Sequence, residues 1–155
     1  MSSFAKHAGL VVLTLSAVPC LSASDAEQLK ALHQKVIRAH QQNSVALLLE
    51  DEAADYVVAN RGEVSKPTLA ERRDRLGPYL ERTTFQEYRD VADPIVTVSA
   101  DGTLGWVIVQ VFVRGERTAT DGQKQAVEFT SAWIELYQKR DGRWYRVGNV
   151  SNFKE

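Results

Sequence analysis

Cysteine is almost absent from this chain of 155 residues: Cys20 is the only one. One thiol cannot close an intramolecular disulfide or build an all-cysteine zinc site. An excess of either charge is missing too. Nineteen Lys plus Arg stand against 20 Asp plus Glu, a formal net charge of −1. Phosphate backbones are bound through a surplus of basic side chains, so a broadly basic nucleic-acid binder is excluded. Long hydrophobic runs are lacking as well. The one apolar stretch, residues 8–18, is eleven residues long and contains Thr14 and Ser16. At ~1.5 Å per residue it covers about 16 Å, roughly half a bilayer core, too short to span. No low-complexity tract or linker breaks the chain. What is present is ordinary globular composition, 44% apolar and 25% charged, which excludes a mainly disordered chain. The length suits one domain.

Lys6 precedes the apolar run, and Pro19, Cys20, Leu21, Ser22, Ala23 and Ser24 follow it. A basic start, a short apolar core and a small-residue end form the pattern of a secretory signal peptide. Residues 1–24 are therefore read as a leader and residues 25–155 as one exported domain, periplasmic or secreted, with no membrane span after cleavage. Cys20 falls in the leader, and Pro19 before it fits a lipidation site poorly. Loss of Cys20 leaves no thiol nucleophile, thiolate metal site or disulfide. The fold must then be held by its core alone.

Ser24 and Glu27 have the spacing of a capping box, and Leu29, Leu32, Val36 and Ala39 keep helical spacing to about Gln42. A second helix is predicted from Asn43 or Ser44 to about Glu52. Tyr56-Val57-Val58 followed by Asn60-Arg61-Gly62 reads as a short hairpin. Thr68 with Glu71 caps a third helix, which Gly77-Pro78 is expected to stop or kink. Asp101-Gly102, Asp121-Gly122 and Asp141-Gly142 recur every 20 residues between β-rich runs. They divide the second half into four strands, about 84–99, 103–118, 125–139 and 143–153, joined as an antiparallel meander. Pro94 marks a bulge or an edge in the first of these.

The strands are apolar on both faces. Leu104, Trp106, Ile108 and Phe112 share one parity, and Val107, Val109, Val111 and Val113 the other. In the next strand Phe129, Trp133 and Tyr137 oppose Ala132, Ile134 and Leu136. Such strands are covered on both sides. Three modest helices cover one face, and a homodimer is the simplest cover for the second. Strong curvature or helix ends offer an alternative cover.

Helices first, a short hairpin, a third helix and a long curved meander together resemble the nuclear transport factor 2-like superfamily, and within it the SnoaL-like exported bacterial members. The resemblance is carried by Tyr88-Arg89-Asp90 through Pro94-Ile95-Val96, and by Ser99-Ala100-Asp101-Gly102-Thr103-Leu104-Gly105-Trp106-Val107. It continues through Trp133-Ile134-Glu135-Leu136-Tyr137 to Arg140-Asp141-Gly142-Arg143-Trp144, and through Val147-Gly148-Asn149-Val150-Ser151-Asn152-Phe153. The resemblance implies an α+β, cone-shaped, cystatin-like fold with a curved antiparallel sheet around the helices and a pocket at the open end. Family members use that pocket for isomerisation, dehydration, cyclisation, epoxide opening or plain binding, and fold does not choose among these.

Steroid-isomerase-like members carry a carboxylate base near the end of the first strand. The matching stretch here, Tyr56-Val57-Val58-Ala59-Asn60, has no acid, and Asp55 is the nearest one. Dehydratase-like members use a pocket histidine. His33 and His40 lie seven apart on the first helix, about 10 Å, too far to share one metal ion. They read as a proton shuttle or as helix-surface residues. Glu128 shares its parity with Thr130, Ala132, Ile134 and Leu136. If that parity lines the cone, Glu128 is an acid in an apolar pocket; otherwise it sits in water near the Asp121-Gly122 turn. Glu128, Asp55 and Tyr56 are the candidate catalytic groups, and Tyr88, Trp106 and Asn149 the candidate ligand contacts. Arg72, Arg73 and Arg75 read as a solvated helix face or an anion site. There is no phosphate loop, HExxH, nucleophile elbow or Ser-His-Asp signature, so no cofactor or metal is expected. The reading is a small-molecule binding domain. A cofactor-free isomerase, dehydratase or cyclase and a protein-interaction module are its rivals.

Overall fold

The computed structural model describes residues 23–154. The leader read at residues 1–24 lies outside the described residues except for Ala23 and Ser24. Three helices, α1 (Asp25–Gln41), α2 (Val45–Leu49) and α3 (Leu69–Glu81), pack on a sheet of seven strands. The strands are β1 (Glu52–Asn60), β2 (Glu63–Ser65), β3 (Thr83–Asp90), β4 (Ile95–Val98), β5 (Leu104–Thr118), β6 (Lys124–Arg140) and β7 (Arg143–Lys154).

Local chemistry sets the helix starts. Ser24 Oγ accepts from the Glu27 backbone N–H at 3.3 Å, and Glu27 Oε2 accepts from the Ser24 N–H at 2.7 Å. Thr68 and Glu71 repeat this arrangement at α3. Each cap is worth about 1 kcal/mol. α2 is shorter than its sequence suggests, because Glu52 already belongs to β1. α3 corrects the expectation at Gly77-Pro78, since it runs through both to Glu81. Pro78 removes one hydrogen bond, on the solvent side of the helix, where water can serve the carbonyl. The turn beyond is held by Leu80, which is buried with Val36, Ala39 and Leu48.

The sheet order is β2-β1-β7-β6-β5-β3, with β4 also on β5. The meander matches the expectation, with one change. Its first strand is divided, β3 pairing with the far half of β5 and β4 with the near half. Pro94 lies in the break, on an edge where its missing N–H costs no ladder bond. The hairpin is not separate from the meander, because β1 pairs with β7 in parallel.

Parity is settled by β5 and β6. Val107, Val109, Val111 and Val113 face the helices and are buried, each burial worth roughly 1.5–3 kcal/mol. In β6 the inward set is Val127, Phe129, Ser131, Trp133, Glu135 and Tyr137. Leu104, Trp106, Ile108 and Leu136 are exposed on the outer face.

Both helix-1 histidines are buried, which corrects the helix-surface reading. His33 Nε2 lies 2.8 Å from Asp90 Oδ1 and its Nδ1 3.2 Å from Glu135 Oε1. These partners are 57 and 102 residues away in sequence. His40 donates from Nδ1 to the Val36 carbonyl at 2.8 Å, and its ring stacks on Tyr88 with centroids 4.2 Å apart.

Two predictions follow from this packing. A Cβ on Gly115 would overlap the Thr84 carbonyl oxygen, and backbone cannot swing aside. Gly115→Ala should lower the free energy of unfolding by about 1–3 kcal/mol in urea titrations. The second concerns pH. Burial opposes protonation of His33, but Glu135 and Asp90 outweigh it and raise the pKa above 6.5. Its stabilisation is complete below pH 6.5 and fades as pH rises through the folded value. Burial holds His40 down at about 4, so its contribution is complete above 6.5 and is lost as pH falls from 6.5 towards 4. Thermal midpoints should therefore peak near pH 6.5, the unfolded value that the two histidines share. His33→Gln should flatten the alkaline limb and His40→Gln the limb between 4 and 6.5. A parent profile without an alkaline decline would contradict the assignment.

Candidate functional site

A cavity of about 680 Å³ opens between α3, the β1–β2 hairpin and the inner face of β6 and β7. Its wall is mixed: Val36 and Leu48 from the first two helices, Leu76 and Tyr79 from α3, and Phe129 and Trp133 from β6 supply apolar and aromatic surface, and polar and charged side chains supply the rest. Tyr56 and Tyr88 also line it.

A network of charges closes the deep end. Glu135 has 0% exposure. Its Oε1 accepts from Trp133 Nε1 at 2.9 Å, and its Oε2 accepts from the Tyr137 hydroxyl at 2.7 Å. Arg146 Nη1 stands 4.0 Å from Oε1. Burial would raise the Glu135 pKa, yet His33, Arg146 and Trp133 together bring it down to about 2. Glu135 is thus a firmly ionised carboxylate and a weak base. Arg146 Nη2 donates to Glu52 Oε1 at 2.7 Å and to the Leu48 carbonyl at 2.8 Å. Arg72 reaches the same Glu52 with two nitrogens, Nε at 2.7 Å and Nη2. The Tyr56 ring lies beneath both guanidinium groups, 4.3 Å from Arg72 and 5.9 Å from Arg146. With His33 protonated, three cations match three anions: Arg72, Arg146 and His33 against Glu52, Glu135 and Asp90. One atom is left over, since Arg146 Nε is buried without a hydrogen-bond partner among the described residues.

A bulge in β7 places Arg146. Leu136 pairs with Gly148 but Tyr137 pairs with Arg146, so Val147 is the extra residue. The slip changes the phase of the strand. Trp144 and Arg146 face inward before it, and Asn149 and Ser151 line the cavity after it.

The candidate residues separate accordingly. Tyr56, Tyr88 and Asn149 line the cavity, Tyr56 with 4% exposure. Glu128 does not reach it. It has the outer parity of β6, opposite Arg114, and is exposed. Asp55 is also outside, paired through both oxygens with Arg140 at 2.9 Å, and that hydrogen bonding holds its pKa down. Trp106 is on the outer face with 36% exposure. Arg72 is buried in the network rather than solvated, Arg75 lines the cavity, and Arg73 remains exposed.

Glu135 and Arg146 are cavity residues that the sequence reading does not single out, and His40, read there as a proton shuttle or a helix-surface residue, lines the cavity as a neutral ring. Glu135 carried a signal, being the one acid on the parity of Phe129, Trp133 and Tyr137. Arg146 carried none, because the bulge hides its phase. The His40 ring keeps its proton on Nδ1 for Val36, which leaves Nε2 as an acceptor in a cavity-lining residue. Among the described residues no group of three or more His, Cys, Asp or Glu is arranged to hold a metal ion.

No sequence-family model matches the chain, and no curated protein matches it. Solved structures do. A nuclear transport factor 2-like protein from Cytophaga hutchinsonii is 16% identical with a TM-score of 0.66, over 85% of this chain and 100% of that one. A ketosteroid isomerase-like protein from Erwinia carotovora atroseptica is 13% identical with a TM-score of 0.66, over 84% and 97%. A protein with a cystatin-like fold from Caulobacter vibrioides is 14% identical with a TM-score of 0.64, over 83% and 89%. Helices on one face of a curved meander, a cavity at the open end and these likenesses together give the chain the nuclear transport factor 2-like, cystatin-like α+β fold.

Proposed function

We propose that this chain is an exported, dimeric domain that binds a small, partly apolar molecule in its cone cavity. The observation that carries the reading is the cavity of about 680 Å³, walled by aromatic and aliphatic side chains interleaved with polar and charged ones. That volume lies within the roughly 300–1,000 Å³ of ligand pockets, where apolar walls surround a few placed polar groups. The His40 acceptor is such a group, and Asn149 and Ser151 line the cavity as others. Export rests on the leader read at residues 1–24.

A second copy suits the outer face of the sheet. Ile95, Leu104, Trp106, Ile108, Leu136 and Val150 are exposed there. Register makes them neighbours, with Ile95 opposite Ile108 and Trp106 opposite Leu136. Contiguous apolar surface of this kind favours association, and a two-fold pairing covers it with itself.

Catalysis is the second reading, a cofactor-free isomerase, dehydratase or cyclase, and it would rest on His40. With Glu128 and Asp55 outside the cavity, proton transfer would fall to His40 Nε2, whose tautomer is fixed by Val36. Its pKa of about 4 makes it a weak base but a good acceptor, which favours binding over turnover.

Native mass spectrometry of the chain expressed with its own first 24 residues tests the proposal. The expected species is a dimer whose subunits begin near Asp25 and which releases a small organic molecule on denaturation. Trp106→Arg should give a monomer that still carries the molecule. A monomeric parent would remove the dimer, a retained leader would remove export, and an empty protein that no organic ligand stabilises would remove binding.

A further inference from the structure

We infer that the occupant of the cavity is an amphipathic organic anion whose acidic group sits at the mouth beside Arg75 and Arg117. The inference rests on the binding reading above and adds the chemistry and orientation of the ligand.

The argument is one of charge placement. At the deep end every formal charge has a counter-charge, and Glu135 is already there as a buried anion. A ligand carboxylate beside it would put two anions in a desolvated space, which is strongly unfavourable. The deep end therefore takes a neutral group, from which His40 Nε2 can accept a hydrogen bond.

The mouth is different. Arg61 and Glu63 border it from the β1–β2 hairpin and offset each other in formal charge. Arg75 borders it from α3 and Arg117 from the end of β5. Neither pairs with a carboxylate among the described residues. Tyr79 connects the two positions. It lies one helical turn beyond Arg75 on α3, and the charge of Arg117 acts on its hydroxyl. Two guanidinium groups without a carboxylate partner among the described residues thus stand on either side of Tyr79, at the edge of a cavity whose apolar surface comes from Leu76, Tyr79, Phe129 and Trp133. Guanidinium groups match the planar, bidentate geometry of a carboxylate and bind it more strongly than a neutral acceptor. Apolar walls inside an uncompensated cationic rim fit a molecule that is anionic at one end only.

Matched probes test this with the whole protein at pH 7. Decanoate and 2-naphthoate are the anions, and decanol and 2-naphthol their neutral partners. Affinity is read by calorimetry, with the summed tryptophan fluorescence, to which the cavity residue Trp133 contributes, as a second signal. At least one carboxylate should bind about tenfold or more tightly than its alcohol. Arg75→Gln combined with Arg117→Gln should bring that carboxylate to the affinity of the alcohol and leave the alcohol unchanged. Arg73→Gln, which removes an exposed charge off the cavity, should change neither. Alcohols that bind as tightly as carboxylates, or a carboxylate preference that survives the double substitution, would overturn the inference and leave the binding reading standing. Failure of all four probes to bind at millimolar concentration would overturn both.

Discussion

A carboxylate without exposed surface sits where α1 meets the sheet, and the rest of the molecule is arranged around keeping it ionised. Glu135 receives a hydrogen from Trp133 and one from Tyr137, and it stands beside the charges of His33 and Arg146. Through His33 it holds α1 to β3 by way of Asp90, and through Arg146 it reaches Glu52 at the start of β1. Removing one partner from such a buried set costs about 3–5 kcal/mol, far more than an exposed ion pair contributes. The network thus fixes the helix, the parallel β1–β7 pair and the deep wall of the cavity at one point. The mouth lies outside this constraint.

This arrangement also explains how the deep wall of the cavity carries charged groups without a net charge. Buried charges that satisfy one another present little net field, so the wall behaves as an aromatic surface with a few fixed donors and acceptors. The stacked His40 and Tyr88 continue that surface, with the ring kept neutral by its burial. The strongly charged groups that remain accessible are displaced to the rim and to the outer surface.

Much of the fold was legible in the sequence because its signals are local. Ser24 with Glu27 and Thr68 with Glu71 are capping boxes decided within four residues. The Asp-Gly pairs set three turns, and at Asp141-Gly142 both residues adopt positive φ, as a tight hairpin requires. The sites were less legible because parity was not. With both faces of β5 and β6 apolar, alternation could not tell which side of β6 faces the helices, and Glu128 was weighed while Glu135 was passed over. His33 and His40 looked like surface residues because their surroundings are assembled from distant strands. Arg146 was invisible for a different reason, since a one-residue bulge broke the period on which such reading depends.

That bulge has a wider meaning for how the molecule can vary. On either side of Val147, β7 runs in two different phases, and each phase answers to a different neighbourhood. Before the bulge Trp144 turns inward to Asp25 and Arg146 to the charged knot, whereas after it Asn149 and Ser151 line the chamber. Asn149 pairs with Glu135 and Ser151 with Trp133, so a substitution at Ser151 alters the cavity wall one step further from the knot than one at Asn149. The single unpaired residue thus lets one strand serve the charged foundation in one phase and the cavity wall in the other.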